Sequence, residues 1–315
     1  MIFPAGLYGA ITGARNSLYD SGFFRTRKLS WPVISVGNIS AGGSGKTPFV
    51  IMLGEMLTER GYSFDVLSRG YRRSTRGVLT VDAKGTPEQY GDEPLLIARK
   101  LDCPVIVGED RYAAGMQAER DSVNTAANPI HLLDDGFQHR RLHRDFDIVL
   151  LNREDLEDKL LPVGRLREAL SSLHRADAVV VDSEFPIGQI PKGDFQVWQV
   201  ERHLEFPQLN GPAVAFCGIA RPQRFFSELR RHGLDLRDEV AFRDHHRYTV
   251  KDVERLLATQ QRTQAAALLT TEKDAINLGP HLNTLRAVIV PMRMRLVDPE
   301  SAMNHMQGTI AQLRV

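Results

Sequence analysis

The residues with the plainest chemical purpose are Ser40-Ala41-Gly42-Gly43-Ser44-Gly45-Lys46-Thr47. Glycines at this spacing let backbone N–H groups converge on anionic oxygens, which a glycine-rich turn and a helix N-terminus supply cheaply. Lys46 then reaches the β- and γ-phosphates of a nucleotide, and the Thr47 hydroxyl meets Mg²⁺. The strict phosphate-loop pattern has glycine where this chain has Ser40, but the apolar strand before the loop and the helix after it restore the specificity. Such a loop needs a carboxylate at the end of a neighbouring apolar strand to hold the metal. Ile130-His131-Leu132-Leu133-Asp134-Asp135 offers two. Asp134 is expected nearer the metal and Asp135 beside it, with the two roles exchangeable. The chain is therefore expected to bind a nucleoside triphosphate and either hydrolyse it or pass on its γ-phosphoryl group.

The competing classes separate on spacing. A guanine-nucleotide switch carries Asn-Lys-x-Asp, whereas Thr271-Glu272-Lys273-Asp274 has its Lys and Asp adjacent. A partition-type ATPase has an extra lysine early in the loop, where Ser40 and Ala41 stand here. A kinase needs a base beside the acceptor hydroxyl. Gly91-Asp92-Glu93-Pro94 offers acids that either cap a helix or face a ligand. Asp244-His245-His246 is the other candidate, and on a strand at most one of its two imidazoles faces a common site. No further ligands stand at zinc-site spacing.

These groups must be held by a parallel sheet. Val33–Val36, Phe64–Leu67, Val105–Val107, Ile130–Leu133, Ile148–Leu151 and Ala178–Val181 read as strands buried on both faces. Helical patterns at Phe49–Arg60, Glu93–Leu101 and Arg111–Glu119 alternate with them. That order predicts an α/β fold, a P-loop type parallel sheet sandwiched by helices. A Pro/Gly-rich stretch near residues 185–212 suggests a linker. Beyond it, Ala213–Cys217, Ala267–Thr270 and Ala287–Val290 with helices at Pro222–Arg231 and Val250–Thr259 predict a second, smaller α/β lobe. The expected division is 1–30, 31–190 and 191–315.

With 315 residues, 40 Lys+Arg against 39 Asp+Glu and a net charge of +1, the composition points to neither nucleic acid nor an acidic tail. Cys103 and Cys217 stand alone, which excludes a disulfide framework and suits a reducing compartment. No apolar run is long enough to cross a membrane. Residues 1–30 instead combine Phe3, Leu7, Ile11 and Leu18 near helical spacing with Tyr8, Tyr19, Phe23 and Phe24, followed by Arg25, Arg27 and Lys28. This describes an amphipathic helix with a basic end, suited to a membrane interface or to the protein's own core.

The loop Gly37–Pro48 resembles that of the tetraacyldisaccharide 4′-kinases of lipid A biosynthesis. So do Ser68-Arg69-Gly70-Tyr71, Gly91–Pro94, Leu133–His139, Leu161–Glu168, Asp244-His245 and Thr271–Asp274, in family order over most of the chain. The resemblance implies two α/β/α lobes around a cleft and transfer of the γ-phosphoryl group of ATP, with Mg²⁺, to the 4′-hydroxyl of a tetraacylated glucosamine disaccharide 1-phosphate, giving lipid IVA. It further implies a peripheral location at the cytoplasmic face of the bacterial inner membrane, met through residues 1–28, with no obligate protein partner. Carried over by motif, Asp92 becomes the general base, His245 rather than His246 its partner, Arg167 a phosphate-side residue and Glu168 a metal-side residue. Two basic clusters, Arg69/Arg72/Arg73/Arg76 and Arg140/Arg141/Arg144, stand available to the 1-phosphate and to anionic lipid.

Overall fold

In the computed structural model, which describes residues 5–122, 128–206 and 208–312, the apolar runs become the strands of two sheets. The first part of the chain gives α1 (Ala5–Asp20), β1 (Val33–Asn38), α2 (Lys46–Glu59), β2 (Phe64–Ser68), β3 (Leu79–Thr80), α3 (Pro87–Tyr90), α4 (Asp92–Lys100), β4 (Val105–Val107), α5 (Arg111–Asp121), β5 (Ile130–Asp134), β6 (Phe146–Leu150), β7 (Ala178–Asp182) and β8 (Gln196–Leu204). The second gives β9 (Ala213–Cys217), α6 (Pro222–Arg231), β10 (Leu236–Ala241), α7 (Val250–Thr263), β11 (Ala267–Thr271), α8 (Glu272–Leu278), α9 (His281–Leu285) and β12 (Val288–Val290). The chain then closes with β13 (Met292–Leu296) and α10 (Pro299–Gln312).

The large sheet runs β13-β8-β7-β6-β1-β5-β2-β4-β3, parallel from β8 to β4 with an antiparallel strand on each edge. β1 lies between β5 and β6. Successive crossovers leave it in opposite directions, so a crevice opens at its carboxyl end, where α/β sheets bind ligands. The small sheet, β10-β9-β11-β12, is parallel throughout.

One expectation needs correction. The division at 190/191 with a linker over 185–212 does not follow the sheets: β8 lies inside that stretch and pairs with β7 in the large sheet, and β13 returns to pair with β8. α10 packs Met303, Met306 and Ile310 into the same core as Phe146 and Trp198. The second lobe is thus an insertion between β8 and β13, two neighbouring strands. Both strands alternate buried and exposed positions, Gln196–Leu204 carrying Glu201, Arg202 and His203, so neither reads as an apolar run.

The N-terminal helix forms over α1; residues 1–4 of the expected segment lie outside the described residues. It docks through polar contacts: Tyr8 Oη donates to Arg167 O at 3.2 Å, Asn16 Nδ2 to Glu168 Oε2 at 2.6 Å, and Arg15 to Gln138 O at 2.8 Å. Leu7, Ile11, Leu18, Phe23 and Phe24 remain exposed. No described helix is long and apolar enough to cross a membrane.

Candidate active site

The phosphate loop occupies the crevice at the end of β1. Gly42, Gly43 and Gly45 hold φ values of +75°, +58° and +86°, a region costly for any residue with a Cβ. Two arginines grip the loop's outer face. Arg165 donates to Ala41 O at 3.0 Å and Arg202 of β8 to Ser44 O at 3.2 Å. A peptide's carbonyl and the following N–H point in opposite directions. Pinning these two carbonyls outward turns the N–H groups of Gly42 and Gly45 the other way. Arg202 is half-buried with its guanidinium mostly covered, and that covering with Arg224 nearby lowers its pKa to about 10, leaving it charged. Sequence reasoning missed it, since it lies in the unrecognised strand. Ser40 bridges Leu166, and Ser40 and Ser44 are both buried.

Lys46 opens α2, its Nζ 3.2 Å from Asn38 Oδ1 and 3.3 Å from Asp135 Oδ1. Register places Asp134 opposite Val36, one residue before the loop's flanking Gly37. The two acids then diverge. Asp135 ion-pairs with Lys46 and, at 3.1 Å, with Arg167; these cations outweigh its burial and hold it well below the usual carboxylate range. Asp134 accepts from Ser68 Oγ at 2.9 Å through Oδ2, while its buried Oδ1 has no hydrogen-bond partner among the described residues. Burial, with Glu93 and Asp135 nearby, pushes Asp134 up to about 7.

An orphaned, buried carboxylate oxygen beside a phosphate loop fits a Mg²⁺ ion, as does the nearly buried Thr47 at the start of α2. Among the described residues no three His, Cys, Asp or Glu side chains cluster as a metal cage. Glu168, expected on the metal side, is also buried, and its Oε1 likewise has no hydrogen-bond partner among the described residues. Its Oε2 binds Arg175 at 2.5 Å and Asn16 of α1, so its contacts tie the N-terminal helix to the lobe. Arg167 reaches the site through Asp135.

The second group of candidates meets across the lobes. Asp92 begins α4, whose N-cap Gly91 has φ +91° with Gly70 and Tyr71 backbone packed where a Cβ would stand. Its Oδ2 lies 2.7 Å from His245 Nδ1 and accepts from Asn277 Nδ2 at 3.2 Å. Burial alone would raise its pKa; the His245 hydrogen bond and the charge of Lys273 outweigh that and hold it at about 2. His245 has φ +57° and packs edge-on against Tyr71 at 5.3 Å between ring centroids. Its neighbour His246 faces away, stacked on Phe242 and bonded to Asp252. This is a loop after β10, and the strained backbone at His245 is what parts the two imidazoles.

Several arginines are structural. Arg72 donates to Asp244 O, Arg73 to Val107 O, Arg140 to Asn16 O and Arg144 to Asp147. Arg69, Arg76 and Arg141 make no side-chain hydrogen bond or ion pair among the described residues.

A family profile described as tetraacyldisaccharide-1-P 4′-kinase matches residues 2–311. A tetraacyldisaccharide 4′-kinase of Koribacter versatilis is 45% identical over 311 residues, covering 95% of each chain. The corresponding enzyme of Aquifex aeolicus is 37% identical over 294 residues, 88% of this chain and 89% of its own. A crystal structure of LpxK from Aquifex aeolicus in complex with ATP superposes with a TM-score of 0.78 at 33% identity, covering 97% of each chain.

Proposed function

The chain belongs to the tetraacyldisaccharide 4′-kinase family, and from that membership we propose that it transfers the γ-phosphoryl group of ATP to the 4′-hydroxyl of a tetraacyldisaccharide 1-phosphate. The observation that carries the reading at the level of chemistry is the Asp92–His245 contact of 2.7 Å, made between the two lobes in a protein that also carries a phosphate loop. Phosphoryl transfer asks mainly for positioning and charge neutralisation. The loop N–H groups and Lys46 hold the triphosphate. Asp134 and Thr47 are the residues that would hold Mg²⁺, which supplies positive charge to the phosphate oxygens when bound. Asp92 takes the proton from the acceptor hydroxyl as its oxygen forms the new bond to phosphorus, and the bond from phosphorus to the ADP oxygen breaks.

The membrane reading rests on α1. One side is fastened to the lobe by Tyr8, Arg15 and Asn16, while Leu7, Ile11 and Leu18, with Phe23 and Phe24 after the helix, present apolar surface outward. That surface suits a lipid interface and would bring the cleft to an acylated acceptor, at the cytoplasmic face of the inner membrane. Arg69, Arg76 and Arg141 are available to the acceptor's phosphate.

The test is γ-³²P transfer from ATP to tetraacyldisaccharide 1-phosphate in detergent micelles. Label in the lipid, lost in Lys46→Ala, is the expected result. Inorganic phosphate released equally with and without lipid would instead make the protein an ATPase.

A further inference from the structure

Three carboxylates and one imidazole converge on Lys273, near the start of α8. Its Nζ lies 3.3 Å from Glu93 Oε1, 3.4 Å from Asp244 Oδ1, 3.8 Å from Asp92 Oδ2 and 3.3 Å from His245 Nε2. Burial alone would discharge the amine, but Glu93, Asp92 and Asp244 outweigh it and keep the ammonium charged. An ammonium donates three hydrogen bonds and accepts none. At 3.3 Å it can only donate to His245 Nε2, which is therefore bare. The ring proton then sits on Nδ1 and is donated to Asp92 Oδ2, 2.7 Å away. Asp244 Oδ2, at 3.7 Å from Nε2, is beyond hydrogen-bond distance and does not compete for a proton there. The Tyr71 ring, the Asn277 amide and the Arg72 guanidinium, which donates to Asp244 O at 3.0 Å, also stand around the pair.

We propose that Lys273 is a positioning residue for phosphoryl transfer: by donating to His245 Nε2 it holds the imidazole neutral with its proton on Nδ1, and thereby keeps Asp92 as the proton-accepting carboxylate. The proposal rests on the reading of Asp92 as the base. It also gives the Thr271-Glu272-Lys273-Asp274 stretch a role that phosphate binding leaves unassigned. In the reaction the hydroxyl O–H bond breaks, its proton goes to Asp92, and His245 neither gains nor loses one. The lock spans the lobes: Asp92 and Glu93 belong to α4, His245 and Asp244 to the loop after β10, and Lys273 to α8.

Full-length enzyme with ¹⁵N-labelled histidine reports the tautomer directly. In the unaltered protein, His245 is expected to show a protonated Nδ1 and a bare Nε2 across neutral pH. In Lys273→Met the ring faces Asp92, Glu93 and Asp244 without the ammonium donating to Nε2, so Nε2 is free to carry a proton and the bare-Nε2 signal is lost. The acid limb of the kcat profile then moves up by about one pH unit, because Asp92 loses the Lys273 charge that helps hold its pKa down. At the foot of that limb kcat falls about tenfold, while KM for ATP stays within about twofold, which also shows that the variant is folded. Lys273→Arg, which keeps the charge, restores the profile. A uniform loss of kcat with the acid limb and the His245 signals unmoved would reduce Lys273 to an ion pair between lobes and overturn the proposal. So would an Nε2–H tautomer in the unaltered enzyme. Failure of the underlying reading is seen separately, as full turnover in Asp92→Asn.

Discussion

Asp134 and Asp135 are adjacent in the chain and opposite in electrostatic circumstance. Lys46 and Arg167 compensate Asp135, whereas Asp134 is buried with one oxygen unmet and its pKa raised to about 7. A carboxyl whose folded pKa lies above its unfolded value binds a proton more tightly when folded, so stability falls as pH rises from about 4 to 7 and stays lower beyond. Asp134→Asn removes that penalty. Without nucleotide or metal it should raise the Tm at pH 8, by about 1–3 kcal/mol of stability, while abolishing transfer; an unchanged or lower Tm would contradict the account. Asp92 runs the other way. Its folded value of about 2 lies below the usual 3.8, so its contribution is present above pH 4 and is lost as pH falls toward 2. That contribution is about 2 kcal/mol. Asp92→Asn should flatten acid unfolding in that window, and lower kcat about 10²–10⁴-fold with little change in KM for ATP. An equal loss in both constants would leave Asp92 only a helix-terminal residue. The loop and its two acids were legible because their chemistry depends on local spacing. The Asp92–His245 contact joins residues 153 apart, which no spacing rule predicts; only the family's motifs pointed to it. Lys273 stood in a family motif with no role attached to it and Arg202 in no motif at all, for their meaning lies in what surrounds them.

At the scale of elements, the phosphate loop is shaped as much by β8 as by its glycines. Arg202→Met frees the Ser44 carbonyl, so the loop must be ordered by the nucleotide on binding. KM for ATP should rise about tenfold with kcat within about threefold; a fall in kcat alone would assign Arg202 to the transition state instead. β8 itself was unreadable as a strand because its buried positions alternate with Gln199, Glu201 and His203. Strands buried on both faces, β1, β2, β4, β5, β6 and β7, declare themselves by composition, whereas strands with one wetter face do not. On α1, replacing Leu7, Ile11 and Leu18 together by Ser should reduce partition onto anionic vesicles and slow transfer to lipid, leaving ATP binding intact. Vesicle binding at the original level would remove the helix from the membrane reading.

For the molecule as a whole, the lobes are joined by ion pairs such as Arg221–Glu154 and by two larger connections. One is the contact of α4 with the His245 loop and α8, which assembles Asp92, His245 and Lys273 and buries Ile276 in the first lobe's core. The other is the paired β8 and β13, with Leu204 opposite Met292 where the chain leaves and re-enters the large sheet. A chain ending at Pro291 lacks β13 and α10, and with them Met294, Met303, Met306 and Ile310 of the first lobe's core. Its loss of nucleotide binding should exceed any disturbance of the small sheet, which amide hydrogen exchange can follow lobe by lobe.

That return strand also fixes an order in time. A ribosome delivers the residues of the phosphate loop first and those of β13 and α10 last. The ATP-binding lobe, begun at residue 33, cannot close its core until the inserted lobe has been made. No nascent fragment therefore carries a finished nucleotide site without the lobe that supplies His245 and Lys273. The nucleotide site and the residues that would use it are therefore completed together.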